Sequence, residues 1–434
     1  MKINSRVASI LGSQGLKQSG LTVGANTFAT GISAVTLIIL SRVLGPEQFG
    51  LFSVAFSLTL FLARFGDFGL NMAVQKYVSQ LHENESERAS GIIVAIAKVK
   101  ALIGLALFLI GLAFGQIISK RVFGIQEPLL VQVSIAFSGV IIAYDFGLVL
   151  LQSSLEFVKA ALLPFLQSIL KLATVGVLMV KKIESVSFIY LMYTLAPLVS
   201  VIAAWKFLPS WFNSRSKLQA KDKKLILAMT KFTAIAVISA AVVDHVDTLM
   251  VKMYLNEFET GLFAAASRIS LLIAVMGYSL GAVLNSRVAR YAHQGHLSTY
   301  LNKAIAMSAA AMFGIAISLP FNRILLMLTA GEAYAQALTP LHWLVASSFV
   351  VLATVPFVAI FYAIEFPLYF ALSGILQTIS LIGLNALFIP HYGIEGAGYA
   401  RLISRLVVLI ATIALVIWVR KREKKLAKNL RMNG

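Results

Sequence analysis

Cysteine is absent from all 434 residues, and that gap excludes disulfides, thiolate zinc sites, iron–sulfur clusters and cysteine nucleophiles together. It leaves the redox state of the compartment open. Charge is nearly as scarce: Asp, Glu, Lys and Arg make up 13% of the chain, about half the share of an ordinary soluble domain. Acidic residues are the scarcer kind, 18 against 37 basic ones, so the formal net charge is +19. A basic chain raises the question of nucleic acid, but that function needs a water-facing surface on which to spread the charge. A chain with so few solvating side chains has none, which removes nucleic acid as a partner. What fills the sequence instead is apolar, with 59% hydrophobic residues and a mean hydropathy of +0.86. Such a chain belongs in a bilayer.

Crossing ~30 Å of hydrocarbon takes ~20 apolar residues of helix. Twelve runs meet that length, at 20–40, 48–70, 99–119, 128–152, 160–180, 186–208, 228–251, 260–284, 304–328, 339–364, 366–389 and 397–419. Ahead of them, Met1–Ser19 sets Ile3, Val7, Ile10 and Leu11 on one helical face beside Lys2, Arg6 and Lys17. That pattern predicts an interfacial amphipathic helix rather than a cleaved signal peptide. Lys and Arg mark the connections kept in the cytoplasm. One alternate set of connections holds most of them: the N-terminal arm, 71–98 with Lys98 and Lys100, the central stretch with Lys217, Lys221, Lys223 and Lys224, 285–303 with Arg287 and Arg290, and the tail from Arg420 to Arg431. The opposite set has only Arg42, Lys120, Arg121, Lys181, Lys182, Lys252 and Arg323. Both termini and the central stretch are therefore expected in the cytoplasm.

An offset of 211 superposes Leu51 on Leu262, Phe52 on Phe263, Ala55 on Ala266, Leu60 on Leu271 and Gly66 on Gly277, with Gly50/Gly261 and Lys76/Arg287 in the same register. An even number of spans per repeat makes the two halves parallel. The expected fold is an all-α polytopic membrane protein, with about 12 transmembrane helices in two parallel-repeat six-helix lobes around a central cavity. Its segments would be an interfacial arm at 1–19, a lobe at 20–208, a cytoplasmic linker at 209–227, a second lobe at 228–419 and a basic tail at 420–434.

The sequence Ser41-Arg42-Val43-Leu44-Gly45-Pro46-Glu47-Gln48-Phe49-Gly50, followed by Asp67-Phe68-Gly69-Leu70, resembles the first-hairpin signature of the Wzx-type polysaccharide flippases. These belong to the multidrug/oligosaccharidyl-lipid/polysaccharide exporter superfamily. Asp247-Thr248-Leu249-Met250-Val251, Gly261-Leu262-Phe263-Ala264-Ala265-Ala266-Ser267-Arg268 and Pro390-His391-Tyr392-Gly393-Ile394-Glu395-Gly396-Ala397-Gly398-Tyr399-Ala400 resemble later signatures of the same family. The resemblance implies a flippase of the bacterial inner membrane that moves undecaprenyl-diphosphate-linked oligosaccharide outward for O-antigen or exopolysaccharide synthesis. It would work among membrane lipids, beside a polysaccharide polymerase and a chain-length regulator. Arg401 departs from the pattern, since the family more often has a small polar residue after Ala400.

Ionisable groups inside apolar runs are costly and mark function by default. Lys206 and Lys231 lie close enough to span ends to snorkel. Lys171 is about ten residues, or ~15 Å, from either end of its span, too deep to snorkel; it faces a cavity or pairs with Asp145 of the preceding helix. Arg64 and Asp67 are three apart on one face, either as an intrahelical pair or as a cavity-lining arginine oriented by its aspartate. Arg268 has no acidic neighbour at three or four residues. Arg401 and Arg405 share a face, and the former could snorkel. Together Arg64, Lys171, Arg268, Arg401 and Arg405 suit a cationic cavity for a diphosphate, because guanidinium forks bind phosphate oxygens bidentately. Tyr144, Gln152, Tyr193, Tyr278, Asn285 and Gln377 could meet the glycan or serve as helix–helix glue.

Asp67, Asp145, Asp244 and Asp247 are the candidates for ion coupling or gating. Asp244 and Asp247, with His245 between them, form a site for a proton or sodium gradient, hydrogen bonds that open or kink the helix, or a pair with Arg268. No cofactor, metal site or catalytic residue is expected, since there is no P-loop, nucleophile elbow or paired carboxylate in a catalytic setting. His293 and His296 fall in a connection, and Gly393, Gly396 and Gly398 form a tight turn or a phosphate cradle. A cation-coupled drug antiporter of the same fold would need an acidic cavity. A polymerase or ligase of lipid-linked glycan would need a large outer loop, and no predicted outer connection is long.

Overall fold

The computed structural model describes residues 14–81, 84–183, 185–208, 216–271, 297–363 and 367–432. Every regular element among them is helical. Helices α1 to α7 run Gln14–Asp67, Leu70–Leu81, Ser86–Val122, Pro128–Ser153, Phe157–Val180, Val186–Phe207 and Ala220–Tyr254; α8 covers 257–271. Then follow α9 (Leu297–Ser318), a 3-10 turn at Leu319–Phe321, α10 (Asn322–Thr329), a second 3-10 turn at Glu332–Ala337, α11 (Leu338–Ala363) and α12 (Pro367–Met432). Nine helices among the described residues are long and apolar enough to span a membrane, as a chain of this composition requires. The chain is an all-α polytopic membrane protein.

Two of those helices each contain two of the predicted apolar runs. The backbone leaves helical angles at Gly45 (φ 68°, ψ 174°), beside Pro46, and at Gly393 (φ 59°, ψ −143°), three residues after Pro390. The connections expected between runs one and two, and between runs eleven and twelve, are therefore bends within α1 and α12. Run nine is interrupted, because α9 gives way at Leu319-Pro320 to the short α10. Run eight is described only to residue 271, and residues 1–13 of the predicted arm lie outside the described residues; from Gln14 the chain is already in α1.

The chain divides into two compact units, Met1–Ala241 and Val242–Gly434, with the boundary inside α7. In unit 1, α3 and α4 approach through glycine: a Cβ on Gly139 would come within 2.9 Å of the Gly104 Cα. Phe52 and Tyr190 are fully buried and meet edge to face at 5.4 Å, while the Thr59 hydroxyl of α1 donates to the Ser134 carbonyl of α4 at 2.8 Å. The amphipathic α2 buries Ala73, Val74 and Val78 and leaves Gln75, Lys76 and Ser79 exposed. It is set by the turn Phe68-Gly69, whose φ values are 48° and 72°. Gly69 lies so close to α7 that a Cβ would stand 2.8 Å from the Thr233 carbonyl carbon and 2.9 Å from the Ala234 nitrogen, closer than a side chain could be. Residues 216–227, read from the sequence as part of a linker, pack onto this unit. Arg88 of α3 grips Asp222 with two nitrogens at 2.9 and 2.5 Å, and Ile226 joins Ala73, Ile92, Phe146 and Leu150 in one apolar cluster.

In unit 2, Phe361 of α11 stacks on Tyr369 of α12 at 4.0 Å, and Tyr369 shares a 2.9 Å hydrogen bond with Thr412 across the bend. Trp343 and Tyr399 meet at 4.8 Å on the same pair of helices.

Candidate functional site

The last turn of α1 brings Arg64 and Asp67 towards Lys100 of α3 and Asp145 of α4. Asp67 does not close an intrahelical pair with Arg64. Its carboxylate is in contact with the Lys100 ammonium, and the two side chains are only 12% and 4% exposed. Lys100 also lies 5.4 Å from the centre of the Phe146 ring. This corrects the expectation that Lys100 belongs to a positively charged connection. Helix α3 has 37 residues and begins at Ser86, so Lys100 stands ~21 Å along it at 1.5 Å per residue. Sequence reasoning missed Lys100 because its partner is 33 positions away; its signal was a lone lysine just inside an apolar run.

Arg64 remains exposed, and Asp145 is half-buried. The charged groups that act on Asp145 are Arg64, Lys100 and Asp67. Among the described residues neither Arg64 nor Asp145 makes a hydrogen bond or an ion pair. Lys100 also borders an apolar cavity of about 340 Å³ between α3, α4 and α6, floored by Gly104, Gly139, Ala143 and Gly147.

Lys171 stands in α5, fourteen positions from Phe157 and nine from Val180, so it is ~14 Å or more from either end. It does not pair with Asp145. The ammonium sits 4.6 Å from the centre of the Tyr193 ring and donates to Gln167 Oε1 at 3.4 Å. Among the described residues its partners are an aromatic face and an amide oxygen, neither of which carries a formal negative charge to offset the ammonium in an apolar span. Tyr193, weighed as a glycan partner, is itself buried, as is Tyr144; Gln152 and Gln377 are half-buried.

Unit 2 treats its charges differently. Asp247 of α7 is fully buried. Its Oδ2 accepts from Arg401 Nε at 2.5 Å and its Oδ1 from Asn385 Nδ2 at 2.7 Å, while Arg401 also donates to the Val243 carbonyl at 3.0 Å. Arg401 thus carries a built-in counter-ion. Asn385 went unnoticed in the sequence, where its signal was a single amide in an otherwise apolar run. Arg405, 8% exposed, donates to the Ser347 hydroxyl of α11 at 2.7 Å. Arg268 is half-buried on α8, Asp244 is exposed one turn before Asp247, and His245 is half-buried. Gly393 makes the bend in α12, with Gly396 packed against the Phe388 carbonyl and Gly398 against Trp343. Tyr278, Asn285, His293 and His296 lie outside the described residues. Among the described residues no three His, Asp or Glu side chains gather to hold a metal ion.

With that geometry in place, comparison with known proteins is informative. The family described as "Polysaccharide biosynthesis protein" matches residues 16–285. The succinoglycan biosynthesis transport protein ExoT of Rhizobium meliloti (strain 1021) is 37% identical over 89 residues, 20% of this chain, and the match spans only 17% of that relative's length. Among solved structures, the lipid II flippase MurJ in an inward closed conformation superposes with a TM-score of 0.73 at 15% identity, covering 91% of this chain and 87% of that one. An inward-facing multidrug resistance transporter of the MATE family, in the MOP superfamily, gives 0.71 at 18% identity, with 92% and 96% covered. A MOP superfamily transporter from Pyrococcus furiosus gives 0.57 at 15% identity, with 93% of each chain covered. At such identities these likenesses establish the fold.

Proposed function

Because the chain belongs to the polysaccharide biosynthesis protein family, we propose that it flips an undecaprenyl-diphosphate-linked oligosaccharide from the cytoplasmic to the outer leaflet of the bacterial inner membrane. It would do so by alternating access, with both termini in the cytoplasm. The observation that carries this reading is Lys171. An ammonium ~14 Å or more inside a membrane helix, whose described partners are one aromatic ring and one amide oxygen, calls for an anion. A diphosphate supplies one, and the exposed Arg64 guanidinium supplies a second cation able to fork onto phosphate oxygens. In unit 2, Arg268 and Arg405 are further candidate cations, whereas Arg401 is neutralised by Asp247. The polyprenyl tail stays in lipid throughout. The same lysine argues against a drug antiporter, whose cationic cargo it would repel. Coupling to a proton or sodium gradient is part of the proposal, and Asp145, which makes no hydrogen bond or ion pair among the described residues, is a candidate seat for it.

The test reconstitutes the full chain in vesicles with a fluorescent prenyl-diphosphate oligosaccharide and follows its protection from a membrane-impermeant quencher. Lys171→Ala should slow transport at least tenfold while the protein stays folded, and Lys171→Arg should retain much of the rate. Wild-type transport by the alanine variant would sink the reading.

A further inference from the structure

Two deep cations of this chain meet carboxylates, Lys100 with Asp67 and Arg401 with Asp247. Lys171 meets a ring instead. Its ammonium stands 4.6 Å from the centre of Tyr193 of α6, and Tyr193 is itself built into place. It is buried, and two rings of α1 stand across it nearly at right angles, Phe52 at 5.2 Å and 83° and Phe56 at 6.2 Å and 74°. Those two rings lie almost parallel to each other at 6.3 Å. One turn earlier on α6, Tyr190 ties the same pair of helices together: its hydroxyl donates to the Ala55 carbonyl at 3.0 Å and shares a 2.6 Å hydrogen bond with Thr59. Three helices of unit 1 thus meet at one point, where α1 fixes a ring of α6 and that ring faces a cation of α5.

A carboxylate beside Lys171 would steady the ammonium and cancel its charge together. The face of an aromatic ring attracts an ammonium through its quadrupole and adds no formal charge. It also orders the side chain. A lysine has a long flexible stem, and a ligand that binds a loose one must freeze its rotamers at that moment. Gln167, one turn before Lys171 on α5, accepts one N–H at 3.4 Å. The ammonium has three donors, so capacity remains for a phosphate oxygen. We propose that Tyr193 is the positioning residue of Lys171: its face, fixed by Phe52 and Phe56, holds the ammonium in place before a diphosphate arrives, so that the head group meets an ordered cation. The proposal rests on the flippase reading and adds to it a residue that acts through Lys171 rather than on the substrate. Ordering one long side chain in advance is worth about two- to twelvefold in affinity, equivalent to ~0.5–1.5 kcal/mol at 1.4 kcal/mol per factor of ten.

The experiment measures the affinity of the purified full chain for farnesyl diphosphate by calorimetry, with Tyr193 replaced by phenylalanine bearing no, one, two or three ring fluorines. Fluorine drains the negative face of the ring stepwise, while shape and apolar packing change little. Tyr193→Phe keeps the face and is the reference. Affinity should fall with each fluorine and end about two- to twelvefold below the reference with three. A ring that only fills space gives a flat series. The contact itself is checked without ligand: the fluorines should lower the melting temperature of the protein that has Lys171 step by step, and leave that of Lys171→Met unchanged. A flat affinity series, an affinity that rises with fluorine, or melting that does not distinguish Lys171 from Lys171→Met overturns the positioning role and leaves the flippase reading standing. Failure of the wild type to bind farnesyl diphosphate overturns the flippase reading, and the proposal with it.

Discussion

Replacing Asp67 by asparagine keeps size and shape but removes the charge facing Lys100. The Lys100 side chain is only 4% exposed, so water cannot step in as its partner. Breaking a buried ion pair by deleting one member typically costs ~3–5 kcal/mol. The field of Asp145 still reaches Lys100, which puts the expected loss at the lower end, about 3 kcal/mol. For a cooperative unit the size of unit 1, each kcal/mol moves the melting temperature by ~2–4 °C, so the variant should melt roughly 6–12 °C below wild type. The decisive comparison adds a second change. Asp67→Asn with Lys100→Met removes both charges at nearly constant volume, and exchanging a buried pair for apolar packing is often neutral or favourable. That double variant should recover most or all of the lost temperature. Thermal unfolding in detergent, followed by the monodisperse fraction on size exclusion, measures all three proteins. The reasoning fails if Asp67→Asn melts with wild type, or if the double variant falls as far as the single one.

Gly69→Ala should be severe, because the residue has φ 72° and its new methyl would press on the α7 backbone at Thr233 and Ala234. A loss of at least ~2 kcal/mol would be read as increased protease sensitivity of unit 1, and a stable alanine variant would show that the Phe68-Gly69 turn and α7 can separate at no cost. Arg401→Ala should destabilise unit 2 by ~3–5 kcal/mol, since Asp247 is left fully buried with an uncompensated charge. Adding Asp247→Asn should restore the fold, and thermal melting of the two variants checks this.

Much of the fold was legible wherever a local signal coincided with the edge of an apolar run. Pro128 opens α4 two residues after Gln126, and Ser185 caps α6 by accepting from the Phe188 amide; both runs were bounded within a residue or two. The start of α3 reads as a connection because Glu87, Arg88, Lys98 and Lys100 flank residues 92–97, an apolar stretch too short by itself to count as a span, although the helix runs through all of it. The bends at Gly45 and Gly393 were expected as connections, since a few turn-forming residues look the same whether they end a helix or kink it. Lys171 and Arg64 stood out as charges in apolar sequence. Their surroundings did not, because the side chains that decide them come from 22 to 81 positions away: Tyr193 for Lys171, Asp145 for Arg64. The Asp247–Arg401 pair, 154 positions apart, follows from helix packing that no local pattern encodes.

Within α1 and α12 the backbone leaves helical angles at Gly45 and at Gly393, so each turn between the two arms is short. Val43, 50% exposed, and Tyr392, 58% exposed, stand at those bends. In a chain without a single native thiol, one cysteine placed at either position would be the only reactive sulfur in the protein. Membrane-impermeant maleimides, applied from one side and then the other, would then report where each bend lies with no background to subtract.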